Sequence, residues 1–549
     1  MQAPSQPRTT NGGRMLTLAV FTSGMTTLAV ELTASRLLGN VFGTSNLVWA
    51  NVIGLMLLYL TVGYFVGGWL ADRAPRPTRL YQIIAWGAFL SGLVPLVARP
   101  VLSAAANAVS GFEAGVALGS FVAVLVLFAL PVTLLGCVSP FAVRLAVRDV
   151  GAAGKISGRL YAISTLGSLV GTFLPTLFTI PQLGTAATFF LFAALLLGVG
   201  LLGLLTLGGD GRAIALRLAW MPPVLIILTL AAQSGVLRPP PQGSRLLWDH
   251  DSAYNYIQVL ELEVPVGQMV DGTFVVAWEA GTRELRLNEG QGIHSVWHPQ
   301  RRYFGGTWDM FLAVPYFNAQ PQIGRVCIVG LAAGTISTQY TEIFGEGVQI
   351  DGIEIDPAIV EAGRRFFGMT QPNLRVIVED GRLALNHLAR EGARYDLIAM
   401  DAYRVPYVPW HLTTVEFFRE ARTALTEHGI VAINVGRTVR ADGTQDRRLI
   451  EAMTHTMQQV FSSVHTIDVP DSFNTLLIGT PHPTSITTLV ANRDRLPEDA
   501  PAPLRRAIEA AISGARPSIP SDVLFTDDRA PVETIINQMV IDYLLGSAR

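Results

Sequence analysis

Cysteine and charge are both scarce in this sequence. Only Cys137 and Cys327 occur among 549 residues, and charged residues make up 15%, well below the quarter that is usual in soluble proteins. Two cysteines in separate apolar stretches suggest neither a disulfide framework nor a metal site. The formal net charge is −2, so no broad basic surface exists to neutralise phosphates. This argues against a nucleic-acid partner.

The shortage of charge is concentrated in the first half of the chain, where long apolar runs occur instead. A bilayer span needs roughly 20 apolar residues. After an N-terminal tail of residues 1–14, we predict a transmembrane helical domain over 15–237 in contact with membrane lipid. About seven spans are predicted, at about 15–39, 47–70, 80–98, 116–146, 158–180, 185–208 and 215–235. An eighth span or a re-entrant segment around 100–113 is the alternative.

Basic residues concentrate in alternate loops of this domain. The positive-inside rule places these loops, and the N-terminus with them, in the cytoplasm of a multi-pass cell-membrane protein. Seven spans would then leave the rest of the chain outside, and eight would leave it inside. The basic residues are Arg73, Arg76, Arg79, Arg144, Arg148, Lys155, Arg212 and Arg217.

Two features of the membrane half point beyond anchoring. Glu31 lies within the first span, where an acid indicates either a proton or amine path or a structural hydrogen bond. The stretch "GWLADRAPRPTRL" (68–80) is similar to the loop between the second and third helices of major facilitator transporters.

The second half has the composition of a soluble domain. A proline-rich linker is predicted over 238–247, a small β-rich subdomain over 248–320, and a doubly wound, Rossmann-like α/β domain over 321–549. In the last, apolar strands alternate with helices. The predicted strands are 325–330, 348–355, 374–380, 395–401 and 429–436, followed by the pair "SVHTIDV" and "NTLLIGT".

Acids stand at the ends of three of these strands, namely Glu354, Asp380 and Asp401. Ligands of open parallel sheets bind outside the carboxyl ends of the strands. Glu354 lies 24 residues after Gly330, close to the spacing at which an acid binds a ribose diol. Asp380 can accept from an adenine amino group, and Asp401 can bind a cationic amine and remove its proton. The alternative for each acid is a helix N-cap.

The turn "GLAAGT" (330–335) lacks the third glycine position of a Gly-x-Gly-x-x-Gly motif. A nicotinamide enzyme is therefore the weaker interpretation. A nucleoside site at the sheet edge is the stronger one, because small residues there let the backbone approach a ligand closely.

Five collinear motifs resemble spermidine synthase and related aminopropyltransferases. Over about 248–479 the chain is similar to that family, and as a whole it is similar to bacterial membrane proteins in which such a domain follows transporter-like helices. The motifs are "SAYNYIQV" (252–259), "GIEIDP" (352–357), "VEDGR" (378–382), "MDAYRVP" (400–406) and "HLTTVEFF" (411–418).

The resemblance implies transfer of an aminopropyl group from decarboxylated S-adenosylmethionine to an amine, without a metal, in a homodimer. It implies donor binding by Asn255, Gly330, Gly334, Glu354, Asp380 and Gly381. Catalysis is assigned to Asp401 as general base, with Tyr403 and His411. Substrate binding is assigned to Tyr254, Asp309, Tyr407 and Trp410.

Departures from the family pattern keep other functions open. Ala333 stands where the family has an aspartate that holds the donor's amino group, and Arg404 and Val405 replace a second aspartate. A methyltransferase using S-adenosylmethionine, or a polyamine- or nucleoside-binding transporter or sensor without turnover, are the alternatives. "FTDDRAPVE" (525–533) is interpreted as a solvated turn, or else as a source of replacement carboxylates. Because S-adenosyl donors are made in the cytoplasm, we expect the soluble domain there, although seven spans would place it outside.

Overall fold

The chain divides into two units in the computed structural model. These are Met1–Arg238 with Asp251–Ala253, and Pro239–His250 with Tyr254–Arg549. The structure describes residues 10–42, 46–108, 115–147, 149–233, 240–270, 273–288, 290, 292–403, 408–440 and 442–547.

The first unit is built from helices, with a π-helical turn at Pro175–Thr179. Within the described residues, seven stretches are long and apolar enough to cross a membrane, as expected of a multi-pass membrane protein. The helices are α1 Thr10–Phe42, α2 Asn46–Arg73, α3 Pro77–Ala108, α4 Gly115–Gly136, α5 Val138–Ala146, α6 Ala153–Leu174, α7 Ile180–Leu183, α8 Thr185–Thr206, α9 Gly209–Leu218 and α10 Met221–Gln233.

Small residues let these helices approach one another closely. A Cβ added to Gly67 of α2 would lie 2.5 Å from the Cα of Cys137, just before α5. Gly167 and Gly171 of α6 face the backbones of Phe21 and Met25 of α1, in that order, so these two helices run parallel. Close backbone approach at small residues is the usual basis of helix packing in membranes, where lipid offers no hydrophobic driving force.

The second unit begins with a small β subdomain, whose first strand starts within the stretch predicted as a linker. A four-stranded sheet has the order β1-β2-β5-β6, and a separate hairpin pairs β3 with β4. The strands are β1 Ser244–Asp251, β2 Tyr256–Leu262, β3 Val266–Val270, β4 Thr273–Trp278, β5 Arg283–Leu287 and β6 Ile293–Trp297.

An eight-stranded, mostly parallel sheet follows, and it confirms the predicted α/β class. Its order is β16-β14-β15-β11-β10-β7-β8-β9, in which β7 to β11 run parallel while β14, β15 and β16 pair antiparallel. The strands are β7 Arg325–Val329, β8 Gln349–Glu354, β9 Leu374–Val378, β10 Tyr395–Met400, β11 Leu425–Gly436, β14 Ser463–Asp468, β15 Asn474–Thr480 and β16 Ala515–Arg516, with β12 Thr438–Val439 and β13 Gln445–Asp446 forming a separate pair.

Helices cover both faces of this sheet because its strands are apolar on both sides. Alternate residues of β7 belong to two different hydrophobic cores. Cys327 and Val329 pack into the first core, and Val326 and Ile328 pack into the second. The first core includes residues of α14, α15, α16 and α19, and the second includes residues of α12, α17 and α18. The helices are α11 Thr307–Met310, α12 Thr335–Phe344, α13 Pro357–Phe366, α14 Gly381–Arg390, α15 Val415–Thr423, α16 Arg448–Gln458, α17 Ile486–Asp494, α18 Ala502–Gly514 and α19 Val532–Ser547.

The tight contact between α1 and α6 makes a testable prediction. Gly171→Ala would drive a methyl group into the backbone of Met25, and such overpacking costs about 1–3 kcal/mol. Gly158→Ala, in the same helix with open space around its Cα, is the matched control, which should be neutral or slightly stabilising. Thermal unfolding of the two variants in detergent would test this, and equal midpoints would contradict the packing argument.

Candidate functional site

Strand register brings four positions into one row at the carboxyl edge of the sheet. Val329 of β7 pairs with Met400 of β10 and with Ile353 of β8, and Met400 also pairs with Ile433 of β11. The residues that follow are therefore neighbours across the edge. In spatial order they are Glu354, Gly330, Asp401 and Asn434.

Gly330 is where the loops after β7 and β10 meet. Its φ is +85°, and an added Cβ would lie 2.7 Å from backbone atoms of Asp401 and Ala402. The Asp401 amide donates to the Val329 carbonyl at 2.9 Å. Glycine is therefore required here for both conformation and space. Gly334, with φ +89°, leads into α12.

Glu354 is buried, and its carboxylate is held by backbone amides. One oxygen accepts from the amide of Ala332 at 2.9 Å and the other from the amide of Asp356 at 3.1 Å. Burial nevertheless raises the pKa of Glu354 to about 7, because the charged form loses its hydration. The Glu354 carboxylate is thus oriented against the Gly330–Gly334 turn. Further hydrogen-bond donors, such as those of a ligand, would offset the free energy that the charged form loses on burial.

Asn255 is linked to this carboxylate through Asp356. Asp356 caps α13 by accepting from the amide of Ala358 at 3.0 Å, and its second oxygen accepts from the Asn255 side chain at 3.0 Å. The side-chain carbonyl of Asn255 accepts a hydrogen bond from the side-chain amide of Asn288 at 2.9 Å. Asn255, predicted to bind the donor, therefore joins the β subdomain to the end of β8. Asp356 was not predicted as a site residue, although it lies in the "GIEIDP" motif.

Asp380 combines a structural role with a position beside the site. One of its oxygens accepts from the amides of Arg382 and Leu383, at 3.0 and 3.2 Å, which caps α14. Its other oxygen lies 3.1 Å from Nε2 of His411. A Cβ on Gly381 would lie 2.5 Å from Val329 Cγ1, so glycine lets α14 begin close against the end of β7.

Asp401 is half-buried and has one strong side-chain partner. Its Oδ1 accepts from the Asn434 amide nitrogen at 2.8 Å. Burial raises the pKa of Asp401 to about 6, and the bond from Asn434 opposes that rise by stabilising the carboxylate. Asn434 was not predicted, although a polar residue near the end of the apolar strand "GIVAINVG" was a signal for it.

Tyr403 lies near Asp401, and Trp410 lies beside His411. The Tyr403 hydroxyl is buried near Gly436, and burial followed by the charge of Asp401 raises its pKa. Trp410 is 49% exposed and contacts the His411 ring edge-on, with centroids 5.9 Å apart. His411, predicted to be catalytic, lies with its imidazole 3.1 Å from Asp380 Oδ2.

Two other predicted substrate residues, Asp309 and Tyr254, do not belong to this row. Asp309 is completely buried, and its carboxylate accepts from the amides of Phe304 and Gly306 and, at 2.5 Å, from Gln339. Tyr254 is exposed just ahead of β2. Tyr407 lies outside the described residues.

Part of this chain is similar in sequence to known proteins. Residues 319–475 match the family model for the spermine/spermidine synthase domain. A polyamine aminopropyltransferase of Vibrio vulnificus is 30% identical over 196 residues, covering 35% of this chain and 60% of that protein. A probable polyamine aminopropyl transferase of Bifidobacterium longum is 28% identical over 235 residues, covering 42% of this chain and 46% of that protein. The chain thus spans less than two thirds of the length of either curated relative.

Solved structures resemble the chain as well. The crystal structure of spermidine synthase from Thermotoga maritima is 14% identical, with a TM-score of 0.37, and covers 52% of this chain and 96% of that one. A probable spermidine synthase from Corynebacterium glutamicum is 17% identical, with a TM-score of 0.35, covering 51% and 98%.

The fold and the edge residues define the class of the second unit: a doubly wound α/β domain with acids at the carboxyl ends of neighbouring strands. The family match then shows that residues 319–475 are similar to the spermine/spermidine synthase domain. This match confirms the resemblance inferred from the motifs, in a chain whose described residues also include seven apolar stretches of membrane-spanning length.

Proposed function

We propose that this protein is a membrane-bound transferase that moves an aminopropyl group from decarboxylated S-adenosylmethionine to an amine acceptor. The observation that carries this proposal is the edge row, in which Glu354, Gly330 and Asp401 are neighbours and Asp380 follows the next strand. The curated relatives, a polyamine aminopropyltransferase and a probable polyamine aminopropyl transferase, support the same reaction class.

Each acid has a separate task in this proposal. Glu354, fixed by two amides, accepts hydrogen bonds from the ribose hydroxyls of the donor. Asp380 lies where the adenine end of the nucleoside would reach. Asp401, between Gly330 and Asn434, faces the reacting end and binds the amine.

The chemical step needs a neutral amine, because a protonated amine has no lone pair to attack with. Asp401 takes a proton from the ammonium group, the nitrogen attacks the aminopropyl carbon beside the sulfonium, and the carbon–sulfur bond breaks. 5′-Methylthioadenosine leaves as the sulfonium sulfur regains its electron pair. A carboxylate whose pKa is about 6 is mostly ionised at pH 7 and still basic enough to accept the proton.

Methyl transfer from S-adenosylmethionine is the second candidate, and Ala333 favours it. This buried residue, whose amide donates to the Ser295 hydroxyl at 3.0 Å, supplies no carboxylate for the amino group of a decarboxylated donor. The same alanine could accommodate a donor that keeps its own carboxylate.

We further propose that the domain faces the cytoplasm, where S-adenosyl donors are made. Seven spans with the basic loops in the cytoplasm would place the domain on the opposite side of the membrane. The proposal of a cytoplasmic domain therefore rests on the supply of the donor. In either case the protein is held in the membrane by the helices of its first unit.

The first prediction concerns the products. Purified protein incubated with decarboxylated S-adenosylmethionine and a panel of amines should release 5′-methylthioadenosine, detected by mass spectrometry. Asp401→Asn should lower the rate about 10²- to 10⁴-fold by removing the base. Formation of S-adenosylhomocysteine from S-adenosylmethionine would instead favour methyl transfer. If neither product formed, the result would contradict both reactions.

The second prediction concerns pH. Asp401 works as a base only when ionised, so kcat/KM should rise with pH through about pH 6 and then level off. Asn434→Ala removes the bond that stabilises the carboxylate, so the rise should move to higher pH. Since the amine acceptor titrates as well, both enzymes are compared with the same acceptor. An unchanged profile would show that Asn434 does not tune Asp401.

The third prediction concerns the membrane side. Cys137 and Cys327 are both buried, so a new cysteine can be labelled against a quiet background. Glu498→Cys, an exposed position, should react with a membrane-impermeant maleimide only after spheroplasts are lysed. Labelling of intact spheroplasts would place the domain outside.

A further inference from the structure

Arg382 lies at the centre of an ion-pair network beside Asp380. Its guanidinium makes two hydrogen bonds to Glu420, at 2.8 and 2.5 Å, and two to Asp527, both at 2.8 Å. It also donates to the backbone carbonyl of His411 at 3.2 Å. The Arg382 side chain is 16% exposed, that of Glu420 31% and that of Asp527 42%, so solvent screens the pair with Asp527 more than the pair with Glu420.

Asp527 belongs to a segment near the end of the chain that docks beside the site. Phe525 is buried, its carbonyl accepts from the Val415 amide at 2.9 Å, and its amide donates to the Thr456 hydroxyl at 3.1 Å. Asp527 accepts from the Thr414 hydroxyl at 2.7 Å. The segment expected to be a solvated turn is therefore fastened to the start of α15, and its Asp527 carboxylate is committed to Arg382.

The network fixes the turn at Trp410–Leu412 from one side, and Asp380 holds it from the other. Arg382 donates to the His411 carbonyl, while the His411 imidazole lies 3.1 Å from Asp380 Oδ2. The Arg382 amide itself donates to Asp380 Oδ1. One residue thus connects the segments after β9 and β10 with the C-terminal segment. Bidentate guanidinium–carboxylate pairs add geometric restraint as well as energy.

We propose that Asp527, acting through Arg382, is a positioning residue for the nucleoside half of the site. It holds the Trp410–Leu412 turn so that the His411 imidazole keeps its contact with Asp380. That contact fixes the Asp380 carboxylate oxygen proposed to face the adenine. This inference rests on the proposed donor site, but it assigns to the C-terminal segment a task that the reaction itself does not require.

Asp528 provides a matched control. It is adjacent, exposed and of the same charge, and its carboxylate makes no hydrogen bond or ion pair in the part of the chain that the structure describes. Asp527→Asn and Asp528→Asn therefore change the same charge by the same chemistry, and only the first breaks the network. Asp527→Glu keeps the charge and should therefore retain part of the nucleoside affinity that Asp527→Asn loses.

The test measures binding of 5′-methylthioadenosine to the full-length protein by calorimetry, together with steady-state kinetics. Asp527→Asn should weaken nucleoside binding and raise the donor KM by about tenfold, as expected when one charged hydrogen-bonding partner is lost. The acceptor KM and kcat should change less than twofold. Asp528→Asn should match the wild type in every measurement, and Asp527→Glu should recover a part of the lost affinity.

The outcomes separate this inference from the proposed function. If the wild type neither binds 5′-methylthioadenosine nor turns over, the proposed function fails and this inference fails with it. If the wild type binds but Asp527→Asn behaves like Asp528→Asn, only the positioning role is overturned. A uniform loss of kcat, acceptor affinity and thermal stability in Asp527→Asn, without rescue by Asp527→Glu, would also overturn it by indicating a purely structural role.

Discussion

The candidate site depends on the register of four parallel strands. Val329 pairs with Met400 and with Ile353, and Met400 pairs with Ile433. The next residue of each strand therefore belongs to one row, which consists of Glu354, Gly330, Asp401 and Asn434. Gly330 lets the middle of the row close, since any side chain there would collide with the backbone of Asp401. A one-residue slip in any of these strand pairs would move Glu354, Asp401 or Asn434 out of the row.

Burial gives this row its chemical character. The carboxyl groups of Glu354 and Asp401 have their pKa values raised to about 7 and about 6 because each loses hydration. Neutral donors, namely the amides near Glu354 and the carboxamide of Asn434, offset only part of that cost. Without a bound ligand both acids hold a proton more readily than exposed carboxyl groups do, so hydroxyl donors at Glu354 and a cation at Asp401 would stabilise the ionised forms.

The strands and their terminal acids were predictable, because apolar runs bounded by glycine and acids are local signals. β11 begins at Leu425, four residues before the predicted start, because the polar stretch "TEH" hides its beginning. Long-range partners were not predictable. Nothing local shows that His411 contacts Asp380, that Asn255 contacts Asp356, or that Asp527 pairs with Arg382, because these contacts depend on how separate segments pack. The N-cap considered for each acid is found at Asp380, where it coexists with the contact to His411.

The charge of the site limits which acceptors suit it. A polyamine carries several cationic centres, and each one taken from water must be compensated by a carboxylate. Ala333 supplies none, and the partners found around Asp401 are the amide of Asn434 and, nearby, the buried hydroxyl of Tyr403. Among the residues that the structure describes, which leave out 404–407, Asp401 is thus one carboxylate with neutral polar neighbours, which matches one cationic nitrogen. For the proposed transferase, this arrangement therefore favours an acceptor with few charges.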